Sequence, residues 1–454
     1  ETRVLQQYAL AALFLGTSGE TSWLQSDGWL NSTNECTWYG VECSDDKGTE
    51  IVVGIFLPFN GLNGTIPSDL VTLAASLLAL DLSGNQLRGI VPSEAGMLTS
   101  LTTISLRHNQ LSGGIPLSLQ TLKNVKLLDV STNKLTGNIP SELGSLTSLR
   151  FLDTSHNDLV GALPSEIGLL SLLESFECES NRLAQVFPSE LGELSRLQLF
   201  NARSNNFIGP LITELGTMTN LAVLDLADNL IFGELPNQMT RLSNLTMLDV
   251  SGNLLRGGLP SNMQLLESLT FLSVADNNLI SRIPPSLGLV TALMHLDMSD
   301  NGLFDTIPAD IFKLTNLVVL DLTNSGAGTA GDGLSAGLSA LTKLEFLSLA
   351  GTGISASGEF IMSNNPGIVP AVIHLTNLRE LDLSYISVQI GQIQTDLGLL
   401  TRLEMLDLSS NQFTGTLPSE IGLLTNLSVL KLHDTSIGGP IPAEYFGLTN
   451  LTTL

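Results

Sequence analysis

Asparagine recurs along this chain at a fixed interval of 24 residues, and this spacing constrains the fold more than any other feature. Apolar or small residues stand three and five positions before each of these asparagines. The asparagines in register are Asn85, Asn109, Asn133, Asn157, Asn181, Asn205, Asn229, Asn253, Asn277 and Asn301. A chain with such a period repeats one small structural unit instead of folding as several unrelated domains.

The segment Leu80–Pro92 shows the unit in full, in the pattern L-x-x-L-x-L-x-x-N-x-L that is typical of a leucine-rich repeat. Leu80 and Leu82 point to one face of a short strand, whereas Asp81 points to the other. One repeat cannot bury its apolar face alone, so we predict stacked repeats with parallel strands and a shared core. An inward asparagine is costly unless its amide bonds to the backbone, so we expect a ladder of hydrogen-bonded asparagines inside the stack.

The remainder of each repeat is short and carries turn residues. Most repeats continue with G-x-I/L-P and then L-G-x-L-x-x-L, as in Leu143–Leu149, which suits a 3₁₀ turn better than a long helix. We count about 16 repeats over residues 53–454. The spacing fails after Asn301, and we place insertions at 326–333 and 355–366.

Residues 1–52 do not repeat, and we predict that they form an N-terminal capping region, because an open end would expose the core and a strand edge. The apolar stretch Ala9–Leu15 has the length of a signal-peptide core, but only Arg3 precedes it. We therefore predict a cap helix. The residues expected along its buried side are Val4, Leu5, Tyr8, Ala12 and Leu13.

The three cysteines differ in their sequence context. Cys36 and Cys43 are close enough to close a small loop, and a disulfide between them would imply an oxidising compartment. Cys178 stands where other repeats place a buried leucine, so we expect a small core hydrophobe.

Charge and motif content exclude several classes of function. The net charge of −25 argues against nucleic acid and anionic membranes as partners, and favours basic, cationic or neutral ones. No apolar run reaches the roughly 18 residues that span a bilayer, so any membrane attachment would use segments outside this chain. No H-E-x-x-H, nucleophile elbow or P-loop occurs, so we predict no enzyme, no cofactor and no metal site.

The W-x-G-V-x-C motif at Trp38–Cys43, together with these repeats, resembles the plant-type leucine-rich repeat receptors and receptor-like proteins. The N-terminal run is also similar to leucine-rich repeat proteins of diatoms and related algae. The resemblance implies an α/β solenoid shaped as a right-handed twisted horseshoe. It also implies a parallel β-sheet on the concave face, short 3₁₀ or irregular convex segments, a helical cap, a Cys36–Cys43 disulfide and a ligand on the inner surface.

Two columns of variable residues define the predicted ligand site. Carboxylates four positions before each asparagine would lie about 4.8 Å apart across parallel strands, which invites basic partners, cations or raised pKa values. Alternatively, they bond to neighbouring backbone or serine. Apolar residues six positions before each asparagine either form a partner site or are half covered by neighbours. Arg203 lies near these columns and is either a salt-bridge neighbour of the carboxylates or a ligand contact. The predicted site comprises Asp129, Phe151, Asp153, Glu177, Leu199, Arg203, Val223, Asp225, Met247, Asp249, Phe271 and Asp297.

These observations predict a non-enzymatic extracellular recognition domain that binds a protein, peptide or glycan on its concave face, as part of a receptor-like protein of the cell surface. The alternatives are a secreted inhibitor of hydrolases and a structural or adhesive surface protein. Five N-x-S/T sequences are predicted glycosylation sites in a secreted chain. They are headed by Asn31, Asn63, Asn244, Asn426 and Asn450.

Overall fold

The computed structural model describes residues 2–31, 34–46, 48–327, 337–352, 372–386 and 391–454. The predicted insertion at 355–366 and residues 328–333 of the other predicted insertion lie outside the described residues. The chain forms two compact units, Glu1–Leu230 and Ile231–Leu454.

The first unit begins with the predicted cap helix, Thr2–Gly16, followed by an antiparallel hairpin of Val41–Asp46 and Thr49–Phe56. A disulfide joins Cys36 to Cys43, as the resemblance implies. Beneath the helix four aromatic rings pack in sequence, with centroids 4.7 to 5.7 Å apart. They belong to Phe14, Trp23, Trp29 and Trp38.

The helix buries a different face from the predicted one. Val4, Leu5 and Tyr8 are exposed. The inward side comprises Gln6, Ala9, Leu10, Leu13 and Phe14. The prediction is therefore confirmed for Leu13 and wrong for Val4, Leu5 and Tyr8, while Ala12 is half-buried. Polar partners fix this rotation, because the buried Gln6 side chain donates to Glu35 at 3.0 Å and accepts from the backbone N–H of Val52 at 2.8 Å. The hydrophobic pattern alone missed this pair of buried polar contacts.

A parallel sheet, here called the primary sheet, runs through the first unit. Each repeat contributes three residues, and the middle one is buried while its neighbours point away from the core. The hairpin strand Thr49–Phe56 pairs with the first of them. The strands that follow are Ala79–Asp81, Thr103–Ser105, Leu127–Asp129, Phe151–Asp153, Ser175–Glu177, Leu199–Asn201 and Val223–Asp225.

A second parallel sheet follows the asparagine of each repeat in the first unit. It arises because the residue before the asparagine adopts a left-handed conformation, as at His156 (φ 52°), which turns the chain into the next strand. A glycine with positive φ ends most of these strands, as at Gly137 (φ 79°). The strands are Asn63–Gly64, Gln86–Gly89, Gln110–Gly113, Lys134–Gly137, Asp158–Gly161, Arg182–Gln185 and Asn206–Gly209.

The second unit repeats both elements. Its primary-sheet strands are Met247–Asp249, Phe271–Ser273, His295–Asp297, Val319–Asp321, Phe346–Ser348, Glu380–Asp382, Met405–Asp407 and Val429–Lys431. Its second-sheet strands are Leu230–Gly233, which starts on the last residue of the first unit, Leu254–Gly257 and Asn278–Leu279. Thr414–Thr416 pairs separately with Ser436–Gly438.

Short 3₁₀ segments close the repeats, as predicted, and a proline precedes most of them. One further segment, Glu35–Thr37, lies in the cap. In the first unit they span Ser68–Leu73, Ser93–Met97, Leu117–Thr121, Ser141–Ser145, Ser165–Leu169, Ser189–Glu193 and Thr213–Thr217. In the second unit they span Asn237–Arg241, Met263–Leu265, Pro285–Leu289, Ala309–Lys313, Val372–His374, Thr395–Leu399, Ser419–Leu423 and Ala443–Gly447.

The predicted asparagine ladder is confirmed. Asn181 accepts from the backbone N–H of Leu159 at 3.0 Å, and its amide donates to the carbonyls of Thr154, Cys178 and Glu179 at 3.0 to 3.2 Å. Each ladder residue thereby connects its own turn to the preceding repeat through buried backbone groups. Cys178 is fully buried beside this ladder, as expected of a core residue.

Candidate functional site

The predicted ligand residues lie on the side of the primary sheet that points away from the core, here called the open strand face. It is formed by the first and third residues of each three-residue strand. Asp129, Asp153 and Glu177 follow one another across adjacent strands of the first unit, because Asp153 is in register with both of the others. The sheet therefore places three acidic side chains side by side, as the repeat spacing predicts.

Most of these aspartates are partly satisfied inside their own repeat. In each, one carboxylate oxygen accepts from the backbone N–H two residues later, at 2.8 to 3.1 Å. This holds for Asp81, Asp129, Asp153, Asp225, Asp249, Asp297, Asp321, Asp382 and Asp407. The interpretation that strand aspartates bond to neighbouring backbone or serine is thus confirmed for them.

Burial divides the column further. Asp225 and Asp249 are buried, at only 8% and 5% exposed, although the alternation of the strand places them on the side away from the core. Asp225 also lies 4.0 Å from Arg203, and Asp249 accepts from the Ser251 hydroxyl at 2.6 Å. Side chains engaged in this way have little capacity left for a ligand.

One repeat of the first unit departs from the L-D-L-S pattern. In residues 175–179 (SFECE) glutamates replace both the usual aspartate and the usual serine. Glu177 accepts from the Ser175 hydroxyl at 3.2 Å. The Glu179 side chain is 16% exposed, and its Oε2 atom is buried with no hydrogen-bond partner among the described residues. A buried carboxylate oxygen without a donor is costly when it is charged, so Glu179, two residues beyond the strand, favours its protonated form.

The electrostatics follow from this crowding. Burial, followed by repulsion from Asp153 and Glu177, raises the pKa of Glu179 to about 7. Burial also raises the pKa of Asp129 and of Glu177, and repulsion from Asp153 adds to both shifts. His156 Nε2 lies 3.7 Å from Glu179 Oε1. The cluster therefore resists full ionisation when it stands alone, and a cation brought close would restore the charged forms.

Apolar residues accompany these carboxylates. Phe151 is 43% exposed, whereas Leu199 and Val223 in the first unit and Met247 and Phe271 in the second are half-buried. Phe271 is further covered by His295, whose ring stacks on it at a centroid distance of 4.2 Å. The alternative of half-covered side chains is confirmed for the four predicted stripe residues, and Phe151 is the most accessible apolar group of the predicted set.

The basic residues near the site are salt-bridge neighbours. Arg203 pairs with Asp228 at 2.9 Å and lies 4.0 Å from Asp225. Lys431, in the second unit, is in register with Asp407 and pairs with it at 3.0 Å. Although burial opposes it, hydrogen bonds from Ser409 and the Lys431 ion pair lower the pKa of Asp407. At the same strand position, therefore, Asp407 is neutralised by a neighbouring lysine, whereas Asp129, Asp153 and Glu177 have one another as neighbours.

Sequence reasoning missed two residues that determine the charge of this surface, Glu179 and Lys431. Glu179 is detectable in the sequence as a break in the L-D-L-S consensus. Lys431 stands at the aspartate position of its repeat and is detectable in the same way. The remaining predicted residue, Asp297, accepts from the Ser299 hydroxyl at 2.7 Å.

The predicted glycosylation residues lie at the surface. Asn31, Asn244, Asn426 and Asn450 are exposed, and Asn63 is half-buried. Within the described ranges, no group of three or more metal-ligating side chains comes together, and no helix combines the length and apolarity that a membrane span requires.

The comparison with known proteins bears on the fold. The Leucine Rich Repeat family matches residues 76–98, 100–122, 124–146, 244–266, 292–314 and 402–424. Receptor-like protein 47 of Arabidopsis thaliana is 36% identical over 78 residues, which are 17% of this chain and 10% of that protein.

Two solved structures extend the likeness over nearly the whole chain. The plant peptide hormone receptor RGFR1 in complex with RGF2 is 30% identical, with a TM-score of 0.80 over 92% of this chain and 63% of that chain. The ectodomain of the receptor kinase GASSHO1/SCHENGEN3 of Arabidopsis thaliana, in complex with CASPARIAN STRIP INTEGRITY FACTOR 2, is also 30% identical, with a TM-score of 0.80. It aligns over 99% of this chain and 58% of its own length.

The predicted α/β leucine-rich repeat fold is confirmed by these matches and by the parallel strands. The chain carries leucine-rich repeats, and its structural neighbours include plant receptor structures. It spans less than two thirds of each of these relatives. The likeness to algal repeat proteins stays a prediction.

Proposed function

We propose that the chain is a non-enzymatic extracellular recognition domain that binds a basic peptide segment on the open strand face of its first unit. The observation that carries the proposal is the acidic cluster of Asp129, Asp153, Glu177 and Glu179 beside the exposed Phe151 ring. An arginine or lysine placed there would pair with the accessible carboxylates of the cluster and relieve the repulsion that contributes to the raised pKa values.

A peptide suits this surface better than a compact ligand does. The open strand face is a row of side chains at the spacing of adjacent strands, so successive residues of an extended segment can each meet a different repeat. Phe151 would contact an apolar residue, while the carboxylates pair with cationic ones. Two of the structural neighbours are complexes with a peptide hormone or a named factor, which supports a peptide or protein ligand.

The proposed location outside the cell rests on other features. The Cys36–Cys43 disulfide is typical of oxidising compartments, and the structural neighbours include the ectodomain of a membrane receptor kinase. The exposed sequons at Asn244, Asn426 and Asn450 are accessible for glycosylation in the secretory pathway.

An array of random 12-residue peptides, matched in length and divided by net charge, tests the proposal with the purified chain. Binders are measured by fluorescence polarisation, and those of net positive charge should be strongly preferred, with affinity falling as salt rises. The site variant combines Phe151→Ser, Asp153→Asn and Glu177→Gln. The matched control combines Asp297→Asn and Asp321→Asn, at the same strand position in the second unit. We expect the site variant to lose at least tenfold in peptide affinity and the control variant to lose less than twofold. Equal binding by the site variant and the parent chain would overturn the assignment.

A further inference from the structure

The second sheet of the second unit presents an apolar outer surface. Its side chains alternate, so that Ile231, Leu255 and Leu279 are buried while the residues beside them face outwards. Four outward or adjoining residues are large and apolar, and they are between 46% and 64% exposed. These residues, here called the lateral patch, are Phe232, Leu254, Ile280 and Phe304.

The sheet holds these residues on neighbouring strands. Phe232 and Leu254 are register partners across a parallel pair. Ile280 and Phe304 continue the surface, since their backbone N–H groups donate to Gly257 at 2.9 Å and to Ser281 at 3.1 Å. Large exposed side chains grouped in this way mark an interaction surface more often than scattered ones do.

The same position in the first unit shows that the fold does not require this composition. Three positions after the asparagine, the first four repeats carry polar residues, and the following ones are mainly aliphatic. The polar residues are Asn63, Arg88, Ser112 and Thr136. Backbone geometry is equivalent, with the glycines after Arg88 and Ser112 at φ 79° and 77° and the glycine after Arg256 at φ 77°. The apolar character of the lateral patch is therefore a property of these repeats and not of the sheet.

Two charged residues accompany the lateral patch. Arg256 and Glu234 are both exposed, and neither takes part in an ion pair with any described residue. The Glu234 side chain lies against the backbone of Gly257, next to Arg256. An apolar surface that carries an available cation and an available carboxylate is complementary to itself, since a two-fold axis would bring each Arg256 to the Glu234 of the other molecule.

We propose that the lateral patch binds a second copy of this chain in an isologous dimer. Burying four half-exposed apolar side chains from each copy supplies the attraction, and the reciprocal Arg256 and Glu234 pairs fix the register. The net charge of −25 opposes association, but physiological salt screens charges that are more than about 8 Å apart, so most of the charge on the two chains contributes little to repulsion at the patch. A lipid surface fits less well, because the chain and Glu234 would repel anionic headgroups.

Sedimentation velocity of the purified chain, from about 1 to 100 µM at 0.15 and 0.5 M NaCl, tests the proposal. A concentration-dependent dimer is expected at both salt concentrations, whereas a chain that stays monomeric throughout would overturn it. Phe232→Ser combined with Ile280→Ser should raise the dimer dissociation constant at least tenfold. Val160→Ser, an exposed aliphatic position at the same point of a first-unit repeat, should change it less than twofold.

A charge exchange separates the interface from folding defects. Arg256→Glu alone should weaken the dimer several-fold, and adding Glu234→Arg should restore it, because the reciprocal pairs re-form with reversed sign. If the two serine substitutions leave the dimer dissociation constant unchanged, or if the double charge exchange does not restore the dimer, the chain associates through another surface. Peptide binding at the open strand face is measured separately and should be unchanged in all of these variants, so the two proposals can fail independently.

Discussion

The asparagine ladder and the carboxylate column are both polar, both repeat along the chain, and yet they lead to different roles. Every polar atom of Asn181 is bonded to backbone of its own or the preceding repeat. A strand aspartate such as Asp153 uses one oxygen for its own repeat. A polar side chain whose hydrogen bonds are all made within the chain is part of the scaffold. A side chain that keeps an accessible donor or acceptor is available for recognition.

The largest expected effect comes from breaking the ladder. Asn181→Ala leaves the buried N–H of Leu159 without its acceptor and removes one of two donors from each of three carbonyls, which should cost about 3 kcal/mol of unfolding free energy. Urea unfolding followed by circular dichroism measures it, and a less cooperative transition is also expected because stacked repeats depend on their neighbours. Asn206→Ala, one position later and exposed, is the control and should change stability by less than about 0.5 kcal/mol.

The second prediction concerns the pH dependence of stability at Glu179. Its folded pKa of about 7 lies above the ordinary value of 4.5, so the folded state holds a proton that the unfolded state releases. Stability should therefore fall as pH rises from about 5 to about 8, by on the order of 2 kcal/mol. Glu179→Gln should flatten this dependence, whereas the exposed control Glu190→Gln should not. Urea unfolding curves of the parent chain and the two variants at pH 5 and pH 8 measure the difference. If Glu179→Gln keeps the same pH dependence of stability as the parent chain, the assignment to Glu179 is wrong.

The third prediction concerns a substitution that would neutralise the carboxylate of Glu177 on the open strand face of the first unit. Asn201 is in register with Glu177, just as Lys431 is with Asp407. Asn201→Lys should lower the pKa of Glu177, because the carboxylate gains a cation within the chain. The affinity for a basic peptide should then fall about tenfold, or about 1.4 kcal/mol. Fluorescence polarisation with a peptide from the array measures the loss. Asn201→Gln controls for side-chain length, and equal affinity in both variants would show that charge at this position is irrelevant.

The smallest expected effect is the converse change in the second unit. Lys431→Met removes the cation from a nearly buried Asp407, which should cost about 1 kcal/mol at pH 7. The pKa of Asp407 is lowered in the folded state, so this contribution is present above about pH 4 and disappears as pH falls through the folded value. Lys134→Met, at an exposed site, serves for comparison. Identical thermal denaturation of both variants at pH 7 would show that the pair contributes nothing.

The sequence predicted what depends on period and missed what depends on single neighbours. The 24-residue spacing was enough for the parallel strands, the 3₁₀ turns and the ladder, because each follows from backbone geometry repeated many times. The face of the cap helix depends on one buried partner of Gln6, namely Glu35, which no periodicity encodes. In the site, the positions were predictable, but the burial of Asp225 and Asp249 was not, because equivalent aspartates such as Asp297 share the same repeat pattern and are half-buried.

The ladder also determines by how much the chain can change in length. Asn181 reaches a carbonyl 27 residues earlier and an N–H 22 residues earlier, and a whole 24-residue repeat leaves both bonds in place. Asn85, which follows a repeat longer by one residue, makes the same bonds at 28 and 23 residues, so a single extra residue is also accommodated. Ser325, where the asparagine is lost, is buried with its hydroxyl unpaired among the described residues, and the repeats that follow it depart from the 24-residue spacing. Duplication and deletion of entire repeats are accordingly the changes that leave the ladder intact, and the departures from the spacing that exceed one residue lie beyond Asn301, where the ladder is interrupted.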